Sequence, residues 1–119
     1  MSHVTTVQTE IKDRTALMMA SKQLKIQFRT GKHTVQLYSG NVECDFSFQL
    51  PGWRYAVAAM ADGSLKLDSY GGHWGDQKEL DKLKQAYGVE VATKKAKSMG
   101  YLIQKKVKQD GTVQLTLSK

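Results

Sequence analysis

The clearest order in the pattern of apolar and polar positions lies in Val42-Glu43-Cys44-Asp45-Phe46-Ser47-Phe48-Gln49-Leu50, which alternates without a break. A period of two belongs to a strand, and it predicts a dry face of Val42, Cys44, Phe46, Phe48 and Leu50 opposite a wet face of Glu43, Asp45, Ser47 and Gln49. Pro51-Gly52 then turns the chain. Residues 53–60, apolar on almost both sides, are expected to return beside it as a strand in the middle of a sheet. Asp62-Gly63 is a hairpin dipeptide and leads into a further alternating strand over 65–70.

Upstream, residues 4–11 are rich in Val and Thr and predict a first strand. Asp13 is placed to cap a helix over 14–24, where Leu17, Ala20, Ser21 and Leu24 recur at helical spacing and Met18 widens the stripe. Residues 26–29 and 35–38 alternate again and read as a hairpin turning at Thr30-Gly31-Lys32. Ser39-Gly40-Asn41 makes the next turn.

Downstream lies a glycine-dense loop, Gly71-Gly72-His73-Trp74-Gly75, followed by Asp76 and, three residues on, Glu79 in the outline of a capping box. The helix it opens carries Leu80, Leu83 and Tyr87 inward. Gly88 is expected to interrupt it before Val91, Ala92, Ala96 and Met99 continue the stripe to a stop at Gly100. Residues 101–108 and 112–117, joined through Gln109-Asp110-Gly111, form a last hairpin. The order strand, helix, five strands, broken helix, two strands predicts one α+β domain over 1–119: a two-layer sandwich, with helices on one face of a curved, mainly antiparallel sheet.

Composition changes this picture in two ways. The net charge of +7 is concentrated: residues 92–119 hold seven lysines against Asp110, a balance of +6, while residues 1–91 balance to +1. Lys94, Lys95 and Lys97 on the second helix and Lys105, Lys106 and Lys108 on the hairpin are therefore candidate contacts for nucleic acid, an anionic membrane surface or an acidic protein; the alternative is a solvated surface that aids solubility. The single cysteine, Cys44, excludes an internal disulfide and a cysteine-only metal cage and points to a reducing compartment, cytosol or organelle stroma. No apolar run reaches the ~20 residues of a membrane span.

The opening Met-Ser-His, the strand ending Thr9-Glu10-Ile11-Lys12-Asp13, then Tyr38-Ser39-Gly40, Gln85-Ala86-Tyr87, Gly100-Tyr101 and Asp110-Gly111 resemble, in order and along the whole length, the hypothetical chloroplast reading frame thirty-five family. That family of unknown function occurs in cyanobacteria, algal plastids and cyanobacterial viruses. The resemblance implies a small soluble protein of cyanobacterial type, in plastid stroma or, for a viral version, the host cytoplasm. It supplies no reaction and no catalytic residue. The glycine-rich 71–75 loop and the lysines near the end depart from the family pattern.

Other candidate chemistry is thin. Gly31-Lys32 lacks the second glycine and the hydroxyl residue of a phosphate loop, since Ile26 and His33 stand at those positions. Asp68, His73 and Asp76 surround the glycine loop, but a turn and a helix cap are a plainer reading than a metal, and His3, His33 and His73 show no ligand spacing. Cys44 reads as a core thiol, and Glu43 with Asp45 as a polar strand face, not an acid and base pair. Trp53, Tyr55 and Arg54 could stack bases on an open sheet, with core packing as the plainer reading. The sequence thus points to a binding module without a cofactor, engaging nucleic acid or an acidic protein through its basic C-terminal surface. An assembly factor acting through sheet edges or through His73 and Trp74 is the alternative, and a small metal-dependent enzyme a third.

Overall fold

The structure is a computed structural model and describes residues 5–7, 9–38, 40–69, 72–109 and 113–118. The expected features at Met1-Ser2-His3, Ser39, Tyr70, Gly71 and Asp110-Gly111 lie outside the described residues. The element order is β1 (Thr5–Val7), α1 (Arg14–Gln23), β2 (Gln27–Leu37), β3 (Gly40–Gln49), β4 (Val57–Ala59), β5 (Leu65–Leu67), α2 (Gln77–Ser98), β6 (Leu102–Val107) and β7 (Val113–Ser118). The first five strands form one sheet in the order β1-β5-β4-β3-β2, antiparallel at every junction, and β6 with β7 form a separate two-stranded sheet. The α+β class and the central position of β4 agree with the sequence reading.

Helix α1 starts where Asp13 accepts a hydrogen bond from the Ala16 amide at 3.0 Å, satisfying one of the donors a helix start leaves open. Its buried side, Ala16, Leu17, Ala20 and Ser21, follows the expected stripe, and the Ser21 hydroxyl donates back to the Leu17 carbonyl. Together with Leu80, Leu83 and Ala86 of α2, Leu17 and Ala20 close over Phe46, Phe48, Val57, Ala59, Leu65 and Leu67 of the sheet. Burying each such side chain stabilises the fold by roughly 1.5–3 kcal/mol, which makes this layer the main source of stability.

Four expectations need correction. First, residues 26–38 are no hairpin. They form the single strand β2, in which Thr30 faces Phe46 and His33 faces Cys44, so Gly31 and Lys32 stand against Asp45 alone. This is a β-bulge, eased by Gly31 at φ +86°, and it leaves four strands between the helices instead of five. Second, the alternating stretch does not keep one dry face. Phe46 and Phe48 pack under the helices, whereas Val42 and Cys44 join Val35 and Leu37 against Ala58, whose neighbours Val57 and Ala59 point to the helix side. A bulge sharpens local twist, so the far half of the β2–β3 hairpin covers the back of the central strand.

Third, only Val57–Ala59 of the expected 53–60 strand pairs in the sheet, and Trp53 precedes it. Trp53 is buried in the helix-side core, with its indole N–H donating to the Asp76 carbonyl at 3.1 Å. Fourth, α2 runs unbroken through Gly88. That residue is exposed, and an interior glycine costs only about 1 kcal/mol, too little to break a helix anchored by Leu80, Leu83 and Ala86. The helix ends as expected: Gly100 at φ +85° donates to the Lys97 carbonyl and Tyr101 to that of Ala96, the paired bonds of a Schellman stop.

Candidate functional site

The basic end is built by the last turns of α2 and by β6. Lys95 and Lys97 lie in the last turn, where positive charge complements the carbonyl end of the helix. Of the six candidate lysines, two are matched to acids. Lys94 Nζ is 2.7 Å from Asp13 Oδ2, and Lys105 Nζ is 3.4 Å from Glu90 Oε1 and 3.2 Å from Gln23 Oε1. The Lys94 ammonium, with the Ala16 amide next, holds the Asp13 carboxyl below its ordinary value of 3.8. Lys95, Lys97, Lys106 and Lys108 are exposed and form no ion pair among the described residues.

The same end of the chain exposes apolar groups that the periodicity assigned to a helical core stripe or an ordinary strand. Leu102 is 70% exposed, Met99 56% and Leu117 48%. The register explains the pattern: Ile103 sits opposite Leu117 and Lys105 opposite Leu115, so these share a face that turns toward α1 and α2, while Leu102 and Lys106 point the other way. One face of the hairpin thus presents Leu102 with Lys106, while the exposed Leu117 lies on the other face with Lys105, and no further strand pairs beside the hairpin among the described residues.

A second grouping forms at the glycine loop. Arg54 donates its backbone N–H to the Trp74 carbonyl at 2.7 Å, which sets its guanidinium 5.2 Å from the Trp74 ring and 5.7 Å from that of Tyr55. Tyr38, from the tip of the β2–β3 hairpin, meets Trp74 at 5.2 Å between ring centres. Arg54 and Trp74 are thus brought together, His73 is exposed beside them, and Trp53, by contrast, belongs to the core. Tyr38 was not singled out from sequence, because only the folding-over of a remote hairpin brings it here. Gly75 is required beneath: a Cβ there would lie 2.3 Å from the Trp53 ring.

Of the three loop residues weighed as metal ligands, one has a clear structural role. Asp76 caps α2 by accepting from the Lys78 amide at 2.9 Å, and Asp68 is buried with neither carboxylate oxygen bonded among the described residues. No group of three His, Cys, Asp or Glu side chains suited to a metal occurs among the described residues. Asp45 leaves the expected polar face to pair with Arg14 on α1, N to O 2.8 Å.

A cluster missed by the sequence reading lies at the bulge. His33 Nε2 is 2.6 Å from Ser47 Oγ and 3.6 Å from Cys44 Sγ, and its Nδ1 is 2.5 Å from the Gly31 carbonyl. Cys44 is half-buried instead of core, and it lines a cavity of about 550 Å3 with Lys32, His33, Thr34, Glu43, Asp45, Met60 and Ala61. Burial, and then the charge of Asp45 against the partial relief of a Phe46 amide, leaves the thiol above its ordinary value of 9.0. No spacing rule links residues 33, 44 and 47; only the register across the bulge does. Among the described residues no helix is long and apolar enough to cross a membrane. Comparison with family models, curated proteins and solved structures found no match for this chain.

Proposed function

We propose that the protein is a small binding module that engages an acidic, partly apolar protein segment through the end of α2 and the β6–β7 hairpin. The observation that carries the reading is the alternation, along residues 95–106, of exposed Lys95, Lys97 and Lys106 with exposed Met99 and Leu102, where Leu102 and Lys106 share one face of the hairpin. A groove meant for phosphates needs cations and, for single strands, exposed aromatic rings; aliphatic groups between the cations instead match a protein partner with alternating acidic and apolar residues. Desolvating such aliphatic groups supplies affinity, and the lysines supply steering and register. The resemblance to a cyanobacterial-type family would place the partner in that setting, where the module acts as an adaptor.

The test is fluorescence anisotropy on the full chain with two probes, a labelled peptide alternating Glu and Leu and a labelled single-stranded oligonucleotide. The expected result is saturable peptide binding, weakened at least tenfold by Lys95→Glu with Lys97→Glu and separately by Met99→Ser with Leu102→Ser. Tighter binding of the oligonucleotide, with affinity falling steeply as salt rises and untouched by the Met99→Ser with Leu102→Ser pair, would replace the protein partner with nucleic acid.

A further inference from the structure

The bulge between β2 and β3 assembles a nucleophile, a base and an orienting group that the binding surface does not use. Because a carbonyl oxygen can only accept, the 2.5 Å contact between His33 Nδ1 and the Gly31 oxygen puts the ring proton on Nδ1. With the proton on Nδ1, Nε2 is the ring atom that can accept, and it lies 2.6 Å from the Ser47 hydroxyl and 3.6 Å from the Cys44 thiol. Ser47 is buried and does not line this cavity, whereas Cys44 opens onto it, so the thiol is the nucleophile that meets a reagent there. A base held by a third group and within reach of a nucleophile is the arrangement that activates cysteine when burial keeps it protonated.

We propose that Cys44 is a site of reversible S-thiolation by a low-molecular-weight disulfide, with His33 as its general base. Cys44 Sγ attacks one sulfur of the disulfide while its proton passes to His33 Nε2. A new Sγ–S bond forms, the reagent's S–S bond breaks, and the departing thiolate takes the proton back from Nε2. Cys44 is thereby oxidised to a mixed disulfide, and half of the reagent is reduced to thiol. The chain has one cysteine, so no internal thiol can displace the adduct, which persists until an external thiol attacks it. The cavity, about 550 Å3, lies within the roughly 300–1,000 Å3 that admits small ligands. Its lining offers Lys32 and Glu43, while Asp45 is committed to Arg14, so one cation and one anion suit a zwitterionic peptide disulfide such as oxidised glutathione.

The experiment treats the full chain with oxidised glutathione and follows the adduct by intact mass. A single glutathionyl group on wild type, none on Cys44→Ser, and a rate about a hundredfold lower in His33→Gln are expected. Ser47→Ala, which removes the competing donor, should exceed the wild-type rate, a result that a merely structural histidine would not produce. In urea all cysteine-containing variants should react alike, which separates loss of the base from loss of fold. Equal folded-state rates for wild type and His33→Gln, or a folded wild type slower than its own unfolded chain, would overturn the assignment.

Discussion

Two hairpins of similar sequence character meet opposite fates in this molecule. β2–β3 and β6–β7 both alternate apolar and polar residues, yet Leu37 is buried against the back of the sheet while Leu102 stands in solvent. The difference lies in what each strand pair can reach. β3 continues the five-stranded sheet through its pairing with β4, and the bulge after Thr30 folds the far half over Ala58. Among the described residues β6 and β7 pair only with each other, and Lys105 ties them to the body through Gln23 of α1 and Glu90 of α2. A two-stranded ribbon with one face half covered is marginal by itself, so its stability depends on that attachment. Alternation therefore reports that a strand exists; what covers its apolar side is decided elsewhere.

The sharpest way to break this contrast is to lift the floor on which the covered hairpin rests. Gly75→Ala drives a methyl group into the Trp53 ring, beside the Trp74 that supports Tyr38. It should cost about 3 kcal/mol, read as a lower urea midpoint with a loss of tryptophan signal on the same transition. The direct comparison comes next. Leu37→Ala should cost about 2–3 kcal/mol and Leu102→Ala no more than about 0.5 kcal/mol, both from urea melts at unchanged slope. Equal effects would mean that the two hairpins are covered alike.

Smaller changes probe the helix that carries the exposed hairpin. Gly88→Ala should stabilise the protein by about 0.8 kcal/mol, since a Cβ there meets nothing within 4 Å and the helix is continuous. A helix broken at that residue would show no gain in thermal midpoint. Lys94→Ala should cost about 0.5 kcal/mol at neutral pH, a modest figure because the pair with Asp13 is half in water. The sign follows from Asp13, whose carboxyl is held below 3.8 in the folded state. Its contribution is present in full above the unfolded value and is lost as pH falls through the folded one, so wild type and Lys94→Ala should converge in stability on acidification.

Much of the candidate surface was legible without coordinates, because charge is a property of the residues themselves. The concentration of lysine after residue 92 is read directly. Which amines remain open is not, because Lys94 finds Asp13 across 81 positions and Lys105 finds Glu90 across 15. Arg54 and Trp74 could be named separately, but the contact of Trp74 with Tyr38 needs the hairpin to fold over the sheet.

The caps at Asp13 and Asp76, the stop at Gly100, the helix stripe around Leu17 and the existence of the strands are local matters, governed by hydrogen bonding and periodicity within a few residues, and the chain alone determined them. The single extra residue opposite Asp45, the division of one alternating stretch between two sides of the sheet, and the meeting of His33, Cys44 and Ser47 were decided only by tertiary structure. The physical reason is that register is a relation between strands: one unpaired residue redirects every side chain beyond it, and no residue announces its partner.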